Sequence, residues 1–243
     1  MAEVVIGIAS SHSPQLTVPW TEWRLMQDKD ETDPRFDYRG LLERVKRNLQ
    51  QDITAECWKE RFDVCQRGIA RVGEQLEASR PDVVVCFGDD QHEQFHDDNM
   101  PAISVFHGDS FSLLHKHLEQ GPSWLKLQEL NSSPTKDQYE ARGDLALHLI
   151  NSLIDDEFDV ARTNKLREDV GIGHAFSFLY RRVWPGGDVP QVPIMLNTYY
   201  PPNQPTPRRC YKLGQAVRKG IESWPGNARV ALMASGGLSH VVV

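Results

Sequence analysis

The feature that most constrains the fold is a set of short apolar runs, rich in valine and isoleucine, spaced along the whole chain. They cover residues 4–9, 82–87, 102–106, 158–163, 192–197 and 229–234. None alternates cleanly between apolar and polar residues. A strand with one wet face would show that alternation, so these runs predict strands buried on both faces. Such strands need cover above and below, and helices are the usual cover for a largely parallel sheet.

Helical patterns lie between the runs. Phe62, Cys65, Ile69, Val72 and Leu76 recur at helical spacing, and Ser79-Arg80-Pro81 then stops the pattern, because a proline ring clashes with the preceding turn. A second amphipathic stretch spans 207–224, with Cys210, Leu213, Val217, Ile221 and Trp224 on one stripe. Thr206 is its expected cap and Pro207 suits its first turn. Residues 41–49 and 143–154 give two more helices, while 17–39 and 121–140 read as long loops or lids. Strands alternating with helices predict an α/β fold with a central, mostly parallel or mixed sheet flanked by helices. The chain has 243 residues and no internal repeat, which predicts one domain over residues 1–243.

Charge and cysteine usage narrow the partners. A net charge of −7 argues against nucleic acid, which needs a basic face. Met1-Ala2-Glu3 leads straight into an apolar strand without the basic start of a signal peptide, and no apolar run approaches membrane-spanning length. The four cysteines, Cys57, Cys65, Cys86 and Cys210, form no C-x-x-C pair and read as reduced, buried thiols. The expected location is the cytoplasm, without membrane contact.

The chemistry is expected after the strands, because sites in open α/β sheets gather beyond strand carboxyl ends. Ser10-Ser11-His12-Ser13-Pro14 follows the first run, Gly88-Asp89-Asp90-Gln91-His92-Glu93 the second and His107-Gly108-Asp109 the third. Gly171-Ile172-Gly173-His174 comes a few residues after the fourth, and Ser235-Gly236-Gly237-Leu238-Ser239-His240 follows the last. One such histidine would be unremarkable, but five of the nine in the chain recur there. Imidazoles with carboxylates beside them suit a metal or acid–base site. No G-x-S-x-G elbow, phosphate loop or strand-following G-x-G-x-x-G is present, so serine hydrolysis and nucleotide binding lack support. Neutral imidazole with carboxylate suits Fe(II), Zn(II) or Mn(II).

Ser11-His12-Ser13-Pro14 near the start and Gly236-Gly237-Leu238-Ser239-His240 near the end together resemble motifs of the class III (LigB-type) extradiol ring-cleavage dioxygenases. Arg209-Cys210-x-x-Leu213-Gly214 and the order of elements resemble that family too. The resemblance implies a LigB-like fold, Fe(II) as cofactor, and cleavage of a catechol-type ring with O2. It implies His12 as an iron ligand, His240 as the base that takes a proton from the catechol, and His174 as an assisting acid. It also implies a second histidine ligand after the second strand. This chain reads Asp89-Asp90-Gln91-His92 there, and counting back from Phe95 puts Gln91 in the expected slot. Imidazole binds Fe(II) better than an amide oxygen does, which favours His92 as that ligand.

The family's carboxylate ligand is a Glu some tens of residues past the base histidine, whereas this sequence stops at Val243. The expectation is a missing C-terminal segment. The alternative is a carboxylate from Glu93, Asp90 or Asp89. Arg208, Arg209 and Lys212 are candidates for meeting a substrate anion, or simply solvated helix charges. Trp20 and Trp23 are candidates for a lid over the ring, or for local packing. A homo-oligomer, and a small companion subunit, are compatible with the resemblance. Two other readings remain: a non-catalytic, Memo-like binding protein of the same fold, and a zinc-dependent hydrolase using the same histidines.

Overall fold

The structure, a computed structural model, describes residues 1–34, 37–46, 48–113, 136, 138–167 and 170–237. Among the described residues eight strands form two sheets: β1 (Glu3–Ser10), β2 (Val83–Asp89), β3 (Ile103–Phe106), β4 (Ser110–Ser112), β5 (Gln138–Glu140), β6 (Ala161–Thr163), β7 (Gln191–Leu196) and β8 (Arg229–Ser235). The main sheet runs in the order β1-β8-β2-β7-β3-β6, and β4 pairs with β5 in a separate small ribbon. β1, β8, β2 and β7 are mutually parallel; β3 meets β7 antiparallel and carries β6 parallel to itself. The sheet is therefore mixed, and each of its six strands overlaps one of the six short apolar runs; the edge strands β1 and β6 are only partly buried, so the expected burial on both faces does not hold for them.

Helices cover both faces. On one side are α3 (Ala55–Ala78) and the short α5 (His174–Phe178), continued by a π-helical turn over Leu179–Val183. On the other are α4 (Gly143–Asp155) and α6 (Pro207–Ser223). β2 shows why its pattern does not alternate. Val83 and Val85 join one core with Leu145, Leu149, Val217 and Ile221, while Val84 and Cys86 join the other with Ile69, Leu76 and Phe176. Caps fit the same logic: the Thr54 hydroxyl accepts from the Cys57 N–H and Thr206 from the Arg209 N–H, each satisfying an orphan donor of a first turn.

Two sequence expectations change. The stretch 17–39 is not a loop: it contains a 3-10 turn at Trp20–Glu22, α1 (Arg24–Thr32) and the start of α2 (Tyr38–Arg44). In α1 only Met26 is buried, and ion pairs such as Arg24–Asp28 at 3.0 Å support it one turn apart, so it lacks the apolar stripe that marks a helix in sequence. The helix expected at 41–49 begins instead at Tyr38, where the Asp37 carboxylate accepts from the Gly40 N–H, and ends at Arg44. Of the stretch 121–140, residues 121–135 and 137 lie outside the described residues. So do Leu238, Ser239 and His240. Among the described residues no helix is long and apolar enough to cross a membrane.

Candidate metal centre

Three parallel neighbours, β1, β8 and β2, end together. Ser10 lies level with Ser235, and Ser235 level with Gly88. The residues just beyond these positions therefore meet. His12, two residues past β1, is only 6% exposed. Its Nδ1 is 3.0 Å from Ser235 Oγ, and its Nε2 is 3.5 Å from Oδ1 of Asp89, the last residue of β2. The Gly236 N–H donates to the Ser10 carbonyl, which lays the glycine turn after β8 against the end of β1.

His174 reaches the same point from a different direction. It begins α5, and its ring stands edge-on to His12 with centroids 4.5 Å apart at 87°. Its Nδ1–H and its own backbone N–H both donate to Glu93 Oε1, at 2.9 and 2.8 Å. One ligand atom each from His12, Asp89 and His174 fall within 4.8 Å of one another. Two imidazoles and a carboxylate in this arrangement make a donor set suited to Fe(II) and similar divalent metals.

The loop after β2 is tied down by its own carboxylate. Asp90 Oδ2 and Oδ1 accept from the N–H groups of Gln94 and Phe95, and Gln94 bonds the Gly171 carbonyl and the Arg167 N–H. These contacts clasp the loop that carries Glu93 to the loop that carries His174. Burial pushes the Asp90 carboxyl above its ordinary range, against the pull of those backbone donors. At His174, burial alone would lower the imidazole. The charge and hydrogen bond of Glu93, with Asp89 and Asp90 behind it, more than reverse this and take it from 6.5 to about 9.

The histidines named from sequence separate here. His12 and His174 come together, with Asp89 as the carboxylate beside them. His92 does not join that grouping. Its backbone turns into the left-handed region at φ 63°, its ring stacks on Tyr200 at 3.7 Å and 8°, and its Nε2 is 3.1 Å from Asp97 Oδ1. Gln91 points inward instead, donating from Nε2 to Asp89 Oδ2 at 2.8 Å. His107 does not share the end of the sheet that His12 occupies, because β3 runs opposite to β1, β8, β2 and β7. Trp23 packs on Trp58 and Phe62 of α3, with centroids 6.2 Å away, and donates to the Val18 carbonyl, which is the local-packing role. Arg209 lies over the Phe158 ring at 4.1 Å and donates to the Glu157 carbonyl. Sequence reasoning did not find Ser235 as the partner of His12 or Glu93 as the partner of His174. The signal for Ser235 was present: a polar residue closing a buried strand.

The model of the family described as "Catalytic LigB subunit of aromatic ring-opening dioxygenase" matches residues 48–242. The chain belongs to this LigB family. Individual relatives agree with that membership. The chain is 42% identical over 100 residues to a gallate dioxygenase of Pseudomonas putida, covering 40% of this chain and 28% of the relative. It is 28% identical over 178 residues to a 2,3-dihydroxyphenylpropionate/2,3-dihydroxicinnamic acid 1,2-dioxygenase of Comamonas testosteroni, covering 72% and 48%. A protein of that same name from Azotobacter vinelandii is 30% identical over 172 residues, covering 71% and 48%. This LigB-family chain thus spans from about a quarter to half the length of the relatives it matches.

Proposed function

We propose that this chain performs the non-haem Fe(II)-dependent extradiol cleavage of a catechol-type ring with O2. The observation that carries the reading is the buried convergence of His12, Asp89 and His174 at the strand ends. A buried carboxylate facing an imidazole is costly unless charge or metal compensates it, and this donor set fits a divalent cation. His12 and Asp89 would hold the metal. When bound, Fe(II) supplies a meeting point for both catechol oxygens and O2 and lets electron density pass between them.

The chain's own residues do the rest. Ser235 Oγ at His12 Nδ1 holds the ring so that Nε2 faces Asp89. Gln91 holds the far oxygen of Asp89. His240, on the segment after β8, is proposed as the base that takes the catechol proton. His92 was the other ligand candidate; its stacking on Tyr200 and its contact with Asp97 favour Asp89 over it. The named relatives act on gallate and on dihydroxyphenylpropionate, both rings with adjacent hydroxyls, so the substrate class is such a ring. The same reading takes a cytoplasmic protein, consistent with four free cysteines, that assembles into a homo-oligomer, with room for a companion subunit.

The test is anaerobic loading with Fe(II), addition of gallate, dihydroxyphenylpropionate and plain catechols, then oxygen uptake beside visible absorbance. One O2 consumed per ring opened, with a yellow product, is expected. Iron binding without uptake would favour the non-catalytic Memo-like reading, and ester or amide cleavage with zinc the hydrolase.

A further inference from the structure

A cavity of about 320 Å3 opens between α1, α2 and the first turn of α3, away from the strand-end cluster: none of His12, Asp89 and His174 lines it. Trp23, Tyr38 and Trp58 wall it, Met26 lines it from the buried side of α1, and Asp30 and Glu31 line it from the last turn of that helix. Its volume falls at the small end of the ~300–1,000 Å3 typical of small-molecule sites.

The aromatic walls are held from outside the cavity. Trp23 stands just before α1, donates from Nε1 to the Val18 carbonyl at 3.1 Å and packs edge-on to Phe62. Its ring is tilted 53° to that of Trp58, with centroids 6.2 Å apart, so the two make a corner rather than a closed stack. Tyr38 opens α2, whose first turn is fixed by the Asp37 cap. At the mouth Leu42 and Ile53 are 45% and 41% exposed, apolar surface that a ligand would cover.

The charge at the rim is placed against the helix. A helix C-terminus carries partial negative charge and favours cations. Yet the end of α1, Lys29 to Asp33, sets three carboxylates (Asp30, Glu31 and Asp33) against one ammonium. Lys29 Nζ answers part of this, at 2.7 Å from Asp30 and 3.9 Å from Asp33. Glu31 accepts from an uncharged amide, Gln27 Nε2, at 2.9 Å. An excess of negative charge thus borders the aromatic walls. A carboxylated ring would be repelled there, and a neutral molecule would leave the excess uncompensated. A cation with an apolar body meets both features, because aromatic faces attract positive charge as well as apolar surface.

We infer that this cavity binds a small organic cation, a quaternary or alkyl ammonium compound, against the rings of Trp23, Tyr38 and Trp58 and beside the carboxylates of Asp30 and Glu31. The site is separate from the metal cluster and takes a ligand of the opposite charge to a carboxylated catechol.

The probes are choline and 3,3-dimethyl-1-butanol, which has the same shape with carbon in place of the quaternary nitrogen. Each is titrated calorimetrically into the full chain, metal-free and loaded anaerobically with Fe(II), with circular dichroism to confirm that variants fold. Choline is expected to bind at least about tenfold more tightly than the alcohol. Added salt should weaken choline and leave the alcohol alone. Trp58→Leu keeps apolar bulk without the ring and should remove most of the preference, whereas Trp58→Phe should keep part of it. Glu31→Gln changes an exposed residue, so folding is not at stake, and it should weaken choline severalfold without affecting the alcohol. If Trp58→Leu does not fold, Glu31→Gln decides. Equal affinity for the two probes, no heat from choline at millimolar concentration, or unchanged choline binding in Glu31→Gln would overturn the inference. Loss of choline binding on loading with Fe(II) would place it at the metal cluster and overturn the inference too.

Discussion

Gly88 is the residue of β2 just before Asp89, and its missing side chain lets α5 sit directly on the strand. A Cβ at this position would lie 2.8 Å from Ala175 Cβ and 3.1 Å from Phe176 Cζ. Carbon atoms settle at about 3.5–4.0 Å, so in Gly88→Ala the start of α5 must retreat by roughly 0.7 Å or more. Overpacking of this kind costs about 1–3 kcal/mol. In a chain of this length each kcal/mol lowers Tm by about 2–4 °C. The larger consequence is at the site. His174 is bonded to Ala175 and moves with it, whereas metal–ligand distances tolerate only about 0.2 Å. Metal affinity should therefore fall at least about tenfold even at temperatures where the variant is fully folded. The assay is a thermal melt of the metal-free variant, followed by a Co(II) titration well below its midpoint. An unchanged Tm would refute the packing argument. A lowered Tm with wild-type affinity would refute the claim that α5 aims a ligand.

Three further outcomes follow from the same contacts. In the metal-free protein His174 sits above its ordinary value, at about 9 instead of 6.5. Its contribution to stability is thus full below 6.5 and is lost as pH rises through about 9, up to a limit on the order of 3 kcal/mol that the 30% exposure of the side chain reduces. Urea melts between these values should show that decline in wild type and a flatter profile in Glu93→Gln. Ser235→Ala removes the hydroxyl beside His12 Nδ1 and should weaken Co(II) by about ten- to a hundredfold in calorimetry, and equal affinity would deny Ser235 an orienting role. Gly73→Ala places a Cβ 2.1 Å from the Val183 carbonyl, a backbone atom with little room to yield; a loss at or above the top of the ~1–3 kcal/mol overpacking range is expected, and wild-type stability would contradict the close packing of α3 on the π-helical turn.

How much of this was legible in the sequence depended on what each element needed to form. The inner strands β8, β2, β7 and β3 were visible because burial leaves near-continuous apolar runs, the partly buried edge strands β1 and β6 because they sit in apolar stretches of their own, and α3, α4 and α6 because each has one apolar stripe. α1 was not, since charged pairs within it take the place of a buried face. β4 and β5 have three residues each, too few for a period to register. Strand direction leaves no mark in a doubly buried run, so His107 was grouped with the strand-end histidines although β3 carries it the other way.

The site divides along the same line. Asp89 closes the buried strand β2 and His12 lies two residues past β1, and chemistry at the end of an apolar run can be read from sequence. The pairing of Glu93 with His174 spans 81 residues and depends on the Asp90 and Gln94 contacts that lock two loops together. Which of Gln91 and His92 faces inward depends on one left-handed residue. At φ 63° His92 swings out onto Tyr200, and nothing in the letters Asp-Gln-His announces that torsion.

The claim that the ends of β1 and β2 and the start of α5 together hold the iron is tested most directly by crystals of the chain loaded anaerobically with Fe(II), with anomalous scattering measured at the iron edge. The account predicts one strong peak bounded by His12 Nε2, the Asp89 carboxylate and His174 Nε2. A peak beside His92 and Asp97, or no peak among these three side chains, would contradict it.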